Sequence, residues 1–486
     1  MGVNRLMNPC LQDKPNMLII VVDSVRADHV ACHGYDRDTT PNIDRLADEG
    51  CLFETAISAA PFSPASYASI FSNLYPHQHG VNGDTVRVWP DGWQRLPERL
   101  QACGYHTFCI SNNAFVTRAM NCARGFDTFV DMREPSWYVR RHNSVFRRVR
   151  RHLGERWAKR LSSNHMHCIV KGDSGETVRR AAALIDGTDK PFFGFIILMD
   201  PHTPYNKLRT HYSGCTPDVR RFFARRNQRT MYAELMAECS GLSASELAVV
   251  RDLYDAEIRH SDACVGTLVD WLRETGRLHS TLVAVTSDHG EGFGEHGVWG
   301  HGFCLNDCLT RVPLVVRHPW YWSPGTRCRG LVQLHDLHDL CLSVASTGVP
   351  QPERYPNCLT QAADPDWGAR EVVFSEFPRQ SKTLRFMRER NPCLDPGVWD
   401  RDMWAARSAD WRYVEYDDGE CELYDLRRDP DETTSVHNYR PEVCDELRSK
   451  LNAHKDARPY EAGEDTAPQE VEEVVVERLR ALGYVE

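Results

Sequence analysis

The sequence has no long hydrophobic run, and this absence limits where the protein is expected to act. Within its 486 residues, no stretch reaches the roughly 18 uncharged apolar residues that a membrane-spanning helix needs. Residues 1–16 are polar and lack the apolar segment of a secretory signal peptide. We therefore expect a cytoplasmic protein without a transmembrane helix.

The sequence also lacks cysteine pairs at metal-binding spacing. Its 18 cysteines are scattered, and Cys304 and Cys308 are the closest pair. In a protein without a signal peptide, such thiols are expected to stay reduced. A disulfide-rich secreted domain and a cysteine-ligated zinc domain are both disfavoured.

The chain as a whole also lacks an excess of positive charge, although two segments are rich in basic residues. The 58 basic and 68 acidic residues give a net charge of −10, which predicts solubility but identifies no partner. Basic residues gather in an amphipathic segment at 137–160 and again at 220–229. A covering helix with a solvated charged face is the favoured interpretation. A rim for an anionic substrate and a surface that contacts anionic lipid remain alternatives, whereas no nucleic-acid-binding motif is present.

Two apolar, β-branched segments end on residues that can bind a metal. Residues 18–22 run into Asp23, and residues 281–287 run into Asp288 and His289. Such runs are typical of buried parallel strands. Ligands of open α/β sheets bind where the strands reach their carboxyl ends. Two carboxylates and an imidazole are therefore predicted to share a divalent metal.

Between these two segments in the sequence lies a hydroxyl group that such a metal can activate. Ser63 stands in the sequence Pro-Phe-Ser-Pro-Ala-Ser-Tyr, at residues 61–67. Because Pro64 follows, Ser63 is also suited to cap a helix N-terminus, which is itself a favourable place for an anion.

The order of elements predicts an α/β protein with two parts. Strand and helix patterns alternate over the first 130 residues, and a long helix is expected over 244–276. Short strands at 371–374, 411–414 and 422–424 predict a small antiparallel sheet. The expected divisions are a catalytic domain at 15–345 with a basic helical insert at about 135–165, a small α+β subdomain at 346–460, and an acidic linker with a terminal helix at 461–486.

Several short segments, in order along the chain, resemble the sulfatase family of the alkaline phosphatase superfamily. They are 22–28, 34–35 with 40–47, 200–205, 287–297, 311–314, and 423–426 with 429–433. The resemblance implies an alkaline-phosphatase-like α/β/α sandwich with a large, mostly parallel sheet and a small C-terminal antiparallel sheet. It also implies a metal-dependent sulfuric ester hydrolase.

The resemblance assigns the metal to Asp23, Ser24, Ser63, Asp288 and His289. Many sulfatases have a second aspartate where this chain has Ser24. The ligand set thus has one negative charge fewer and includes an imidazole nitrogen. Calcium stays a candidate, but manganese, magnesium or zinc are favoured by such a set.

Ser63 matches the position of the family's nucleophile. In sulfatases this residue is oxidised to formylglycine by a maturation enzyme, whereas phospho-active relatives use an unmodified serine or threonine. Ser63, Pro64 and Ala65 fit the maturation pattern, but Tyr67 replaces its arginine. Formylglycine at Ser63 and a formylglycine-generating partner are therefore expectations from the resemblance.

The anion pocket of the family is altered here. Asn112 stands at a lysine position, Ala114 at a histidine position and His301 at a second lysine position, whereas His202 is kept. His202 and His301 are candidate catalytic groups that stabilise charge and protonate the leaving group. Together with Asn112 and Tyr67, they are also the predicted substrate-binding residues.

Three functions are compatible with these residues. The leading prediction is a hydrolase of a sulfate ester, such as a sulfated glycan or an aryl sulfate. An alternative is a phosphodiesterase, phosphonate hydrolase or phosphoryl transferase with unmodified Ser63, which the altered pocket favours. A further alternative is a non-catalytic anion-binding protein, because one fold hosts many functions.

Overall fold

The structure, a computed structural model, describes residues 14–82, 88–132, 173–203, 205, 242–318, 321–347, 370–390, 397 and 399–457. The basic segment at 137–160, the second cluster at 220–229 and the C-terminal segment at 461–486 lie outside the described residues. In the described part, no helix has the length and apolar character that crossing a bilayer requires.

A central sheet organises the protein. The strands are, in chain order, β1 (Asn16–Val22), β2 (Cys51–Ile57), β3 (His106–Ser111), β4 (Thr128–Asp131), β5 (Phe192–Leu198), β6 (Thr281–Thr286), β7 (Gly292–Phe293), β8 (Trp299–Gly300), β9 (Arg311–Arg317), β10 (Thr326–Gln333), β11 (Val373–Phe377), β12 (Met403–Arg407), β13 (Trp411–Tyr416) and β14 (Cys421–Asp425). Eight of them form the sheet β10-β2-β9-β6-β1-β5-β3-β4. Its pairings are parallel except where β9 meets β2 and β6.

Strand β1 is apolar along its length because both faces of the sheet are covered. Leu18 and Ile20 enter one hydrophobic core, and Met17 and Ile19 enter the other. Consecutive side chains of a strand point to opposite faces, so a sheet between two helical layers needs continuous apolar runs. The predicted α/β/α sandwich is confirmed.

Helices cover the large sheet on both faces and the small sheet on one face. They are α1 (Pro41–Glu49), α2 (Ser63–Ser72), α3 (Pro76–His79), α4 (Leu96–Ala102), α5 (Ser174–Asp186), α6 (Ala244–Glu274), α7 (Asp307–Thr310), α8 (Asp336–Thr347), α9 (Ser381–Arg390) and α10 (Pro441–Lys455). Helices α1, α5 and α6 pack on one face, and α2, α4 and α8 pack on the other. The long predicted helix starts after Ser243, whose hydroxyl accepts a hydrogen bond from the backbone N–H of Glu246 (3.3 Å).

The C-terminal part is a four-stranded antiparallel sheet in the order β11-β12-β13-β14. The sequence predicted three of these strands and missed β12. Tyr413 and Leu423 pack against Leu447 of α10, whereas Met403 and Val414 on the other face join the central core. The small antiparallel sheet is thus confirmed, and it is packed on the catalytic part.

The carboxyl ends of the central strands meet at one edge of the large sheet. Strand β1 lies between β6 and β5 and is parallel to both. Asp23 directly follows β1, Asp288 comes shortly after β6, and His202 comes after β5. Asn112 directly follows β3. The sheet therefore places these polar residues along one edge.

Candidate active site

Asp23, Asp288 and His289 form a buried cluster at this edge. Each side chain is fully buried, and one ligand atom from each lies within 4.8 Å of the others. The strand ends thus bring together the three residues that the sequence proposed as metal ligands.

The two carboxylates of this cluster are not equally satisfied. The hydroxyl of Ser24 donates to Asp23 Oδ1 (2.8 Å), and the backbone N–H of Ser24 donates to Asp288 Oδ1 (3.2 Å). Ser24 has a positive φ of 63°, a conformation that non-glycine residues seldom adopt outside turns and functional sites. Asp288 Oδ2 has no hydrogen-bond partner among the described residues.

Burial and charge act together on these carboxyl groups. Burial raises the pKa of Asp288 well above its usual range, and the neighbouring Asp23 raises it further. Burial also opposes ionisation of Asp23, but His202 and His289 outweigh it and lower the pKa of Asp23. Asp288 Oδ2 lies 3.5 Å from His289 Nε2 but accepts no hydrogen bond in the described part of the chain. Such an oxygen beside a second carboxylate fits a divalent cation, because the ion supplies the missing positive charge.

The hydroxyl of Ser63 faces the cluster. Its Oγ lies 3.4 Å from Asp23 Oδ2 and 3.2 Å from His289 Nε2. The helix-capping role suggested by the sequence is not observed, since Phe62 takes the cap position and Ser63 is the first residue of α2. The hydroxyl of Ser63 is directed to the cluster instead.

The backbone around His289 fixes the orientation of its ring. Nδ1 donates to the carbonyl of Gly290 (2.8 Å), which leaves the Nε2 lone pair for Ser63 or a metal. A Cβ at residue 290 would lie 2.0 Å from the carbonyl oxygen of Cys308. Only glycine permits this close approach.

Asn113, which no sequence motif indicated, is in the site. Its Nδ2 donates to Asp23 Oδ2 (2.8 Å) and to Ser63 Oγ (3.2 Å). Its Oδ1 accepts from the backbone N–H of Phe115 (2.8 Å), which sets the orientation of the amide. Asn113 therefore links the candidate nucleophile to a candidate metal ligand.

The predicted substrate residue Asn112 points elsewhere. Its Nδ2 donates to Thr177 Oγ1 (3.0 Å), and its Oδ1 has no hydrogen-bond partner within the described ranges. Adjacent side chains of an extended segment project in opposite directions, so one of two consecutive asparagines faces the site. The register of β3, which no motif records, decides that this is Asn113.

Three histidine rings lie side by side at the site, and His289 is the one that contacts the Ser63 hydroxyl. The His301 ring lies 4.4 Å from the His289 ring and 4.9 Å from the His202 ring, measured between centroids. His202 Nδ1 donates to the carbonyl of Thr203 (2.7 Å). Burial lowers the pKa of His202 to about 4, although Asp23 opposes this effect.

A buried carboxylate holds His301 in place. Glu291 Oε1 lies 3.1 Å from His301 Nδ1, and Glu291 Oε2 accepts from the hydroxyl of Tyr205 (3.3 Å). Glu291 is fully buried. Its segment belongs to the motif that resembles the sulfatases, but no pattern in the sequence assigns it this contact.

Tyr67 lies beneath the site. Its ring is fully buried and contacts the ring of Phe195, with 6.2 Å between centroids. Its hydroxyl has no hydrogen-bond partner among the described residues. Burial raises the pKa of Tyr67 well above its usual range, and Asp288 and Asp23 add to the effect. The phenol thus packs under the two carboxylates.

A match to a family model identifies the chain. The model described as Sulfatase matches residues 15–345. This chain belongs to the sulfatase family. An arylsulfatase of Clostridium perfringens is 22% identical over 466 residues, covering 87% of this chain and 90% of the relative. An N-acetylglucosamine-6-O-sulfatase of Bacteroides thetaiotaomicron is 22% identical over 500 residues, with 87% and 82% covered.

Solved structures agree with the sulfatase fold. A protein in complex with its substrate D-glucosamine-2-N,6-O-disulfate has a TM-score of 0.61 at 18% identity, covering 93% of this chain and 100% of that one. A phosphonate monoester hydrolase of Agrobacterium radiobacter has a TM-score of 0.62 at 21% identity, with 91% and 96% covered. These similarities support the fold and leave the substrate of this hydrolase to be argued from its site.

Proposed function

We propose that this sulfatase-family hydrolase cleaves a singly charged ester, foremost a sulfate ester, and that Ser63 supplies the nucleophile. The observation that carries the proposal is the position of Ser63 Oγ, 3.4 Å from Asp23 Oδ2 and 3.2 Å from His289 Nε2. The nucleophilic oxygen thus touches two of the three candidate metal ligands.

Asp23, Asp288 and His289 would hold one divalent metal, with the hydroxyls of Ser24 and Ser63 beside them. When bound, the ion would neutralise the ester oxygens and make a hydroxyl nucleophilic near neutral pH. Asp288 Oδ2 supports this assignment, because it accepts no hydrogen bond from the described residues and lies 3.5 Å from His289 Nε2. The mixture of oxygen and nitrogen donors favours manganese, magnesium or zinc and is compatible with calcium.

The charge of the pocket supports a singly charged ester group. No lysine or arginine of the described ranges bonds to Asp23, Ser63 or Asp288. A phosphate monoester carries about −1.5 to −2 charges at neutral pH, whereas a sulfate monoester carries one. A pocket bordered by imidazoles and an amide offers too little positive charge for a dianion.

His202 and His301 supply the remaining functions in this proposal. Glu291 occupies Nδ1 of His301, so Nε2 is the nitrogen available to a substrate. His202 Nδ1 is bonded to the carbonyl of Thr203, which orients this ring beside that of His301. Both histidines are proposed to border the ester, and His301 is the proposed acid for the leaving oxygen, because burial lowers the pKa of His202 to about 4.

Formylglycine at Ser63 is the form of the nucleophile that we propose for sulfate ester cleavage. The test is mass spectrometry of the tryptic peptide 46–87, from protein purified out of its native host. A mass lower by two hydrogens at Ser63 would support both the modification and a maturation partner. An unmodified serine would move the assignment to phosphoryl chemistry.

A second candidate is the hydrolysis of phosphodiesters or phosphonate monoesters by unmodified Ser63. The observation that favours it is the loss of the family's cations at Asn112, Ala114 and His301. These substrates are also singly charged. Turnover of an aryl sulfate, a diaryl phosphodiester and an aryl phosphonate, compared at equal metal concentration, separates the two candidates by their kcat/KM.

A further inference from the structure

A second buried cluster of histidines and a carboxylate lies outside the active site. Ligand atoms of His77, Glu376 and His454 lie within 4.8 Å of one another. The side chains of Glu376 and His454 are 3% and 6% exposed, and that of His77 is 19% exposed. We call these three residues the histidine clip.

The histidine clip joins three elements that are distant in sequence. His77 lies on α3, which follows the helix that begins with Ser63, whereas Glu376 lies on β11 and His454 on α10. The clip therefore connects the catalytic part to the first strand and the last helix of the small sheet unit.

Hydrogen bonds place both imidazoles against one carboxylate oxygen. Glu376 Oε1 lies 2.6 Å from His77 Nδ1 and 2.7 Å from His454 Nε2. The other oxygen, Oε2, accepts from the backbone N–H of His77 (2.7 Å), which fixes the plane of the carboxylate. The His454 ring stacks on Phe374, with 4.1 Å between centroids and an interplanar angle of 8°. All three ligand atoms are thus held in fixed directions.

The two ring nitrogens of His77 both face acceptors. Nε2 lies 3.3 Å from the carbonyl oxygen of Ala457, and Nδ1 faces the Glu376 carboxylate. A neutral imidazole carries one N–H and cannot donate in both directions. In the metal-free state a proton therefore lies between Nδ1 and the carboxylate, and a metal ion would take its place as the ligand atoms move apart. An N–H to carbonyl bond on the far side of the ring is also the usual support of a metal-bound histidine.

We propose that His77, Glu376 and His454 form a second divalent metal site, of the zinc class, which binds the small sheet unit to the catalytic part. Two imidazoles and one carboxylate are a ligand set that zinc accepts, with water completing the coordination. In the metal-free state, protons hold the ligand atoms at hydrogen-bond distances. The exposed edge of His77 gives the ion a path of entry.

Metal stoichiometry tests the proposal in the Asp288→Ala protein, in which the active-site cluster is weakened. After chelation and dialysis, this protein is titrated with Zn²⁺ by calorimetry, and bound zinc is counted. We expect one equivalent per chain that is lost on adding His454→Gln. The matched control is His338→Gln, because His338 also pairs with a carboxylate (Asp339, 3.2 Å) but has no second imidazole in its pair. The control should keep the equivalent.

The proposal is overturned if His454→Gln leaves the zinc count and affinity unchanged. A second measurement does not use the His454→Gln variant, so it stays informative even if that variant fails to fold. X-ray absorption of zinc bound to the Asp288→Ala protein should show nitrogen and oxygen ligands at about 2.0–2.1 Å and scattering from two imidazole rings. Absence of bound zinc, or of imidazole scattering, contradicts the second site. Loss of sulfatase activity has no bearing on either readout, so the proposed function is tested separately.

Discussion

Two buried clusters of carboxylate and imidazole lie in this sulfatase-family protein, and they differ in how their charges are satisfied. At the strand ends, Asp23 and Asp288 share a cluster with one histidine, and Asp288 Oδ2 accepts no hydrogen bond from the described residues. In the histidine clip, one carboxylate has two histidines, and both of its oxygens accept hydrogen bonds.

The contrast shows what each cluster is built for. A pair of facing, incompletely bonded carboxylates costs stability in the absence of a cation, which is typical of a site arranged for binding and catalysis. A carboxylate between two imidazoles is stable with protons alone, so a metal there must displace them. Changes in the first cluster should therefore affect activity, and changes in the second should affect stability.

The largest effect is expected from Asp288→Ala. Removal of this carboxylate weakens the metal site and should lower kcat/KM by at least about 10³-fold, since metal assistance is worth several kcal/mol. In the metal-free protein the melting temperature should not fall, because one of two facing buried carboxylates is gone. Kinetics with an aryl ester and a thermal melt check both parts. Full activity, or a large loss of stability, would contradict the assignment of this cluster to catalysis.

Chelation of the metal should reproduce the kinetic effect in the wild-type chain. Dialysis against a strong chelator should abolish turnover, and returning the divalent ion should restore it. If turnover survives exhaustive chelation with no metal left by elemental analysis, the assignment of Asp23, Asp288 and His289 as metal ligands is wrong.

The next effect is expected from Glu376→Gln in the histidine clip. Two buried imidazoles lose their carboxylate, so the free energy of unfolding should fall on the order of 3 kcal/mol. The protein that remains folded should keep its kcat/KM. Urea unfolding, with activity measured below the transition, provides the test. A variant that is inactive but as stable as the wild type would reverse the assignment of the two clusters.

A smaller effect is expected from Asn113→Ala. This change removes the amide that bonds to both Ser63 and Asp23. Loss of a group that supports a metal ligand typically costs 10- to 100-fold in activity or metal affinity, so we expect kcat/KM to fall by roughly 10- to 100-fold. Asn112→Ala is the matched control, because its Nδ2 bonds to Thr177 instead. Equal losses in both variants would show that the contact of Asn113 with the nucleophile has no special role.

The sequence predicted the fold and the centre of the site for a physical reason. Buried strands are continuous apolar runs, and their carboxyl ends meet, so the order of residues along the chain is enough to make Asp23, Asp288 and His289 neighbours. Ser63 required the resemblance to the sulfatases, since a serine before a proline is common at helix starts.

The sequence could not predict contacts that depend on register or on packing between distant elements. The family motif points to Asn112 and not to Asn113, because a motif gives order along the chain but not the direction of each side chain. The contact between His77 and Glu376 joins residues 299 positions apart, and no local pattern links them. Strand β12 was missed for a similar reason, since its pairing with β11 and β13, and not its own sequence, defines it.

The role of Ser63 as the nucleophile can be tested by the turnover of an aryl sulfate and an aryl phosphonate by the wild type and by Ser63→Ala. Ser69→Ala is the control, because Ser69 is buried on the same helix but bonds to His79 (3.1 Å). We expect the wild type and the control to hydrolyse the preferred ester, and Ser63→Ala to lose at least about 10³-fold in kcat/KM. Undiminished turnover by Ser63→Ala would contradict the assignment of Ser63 as the nucleophile.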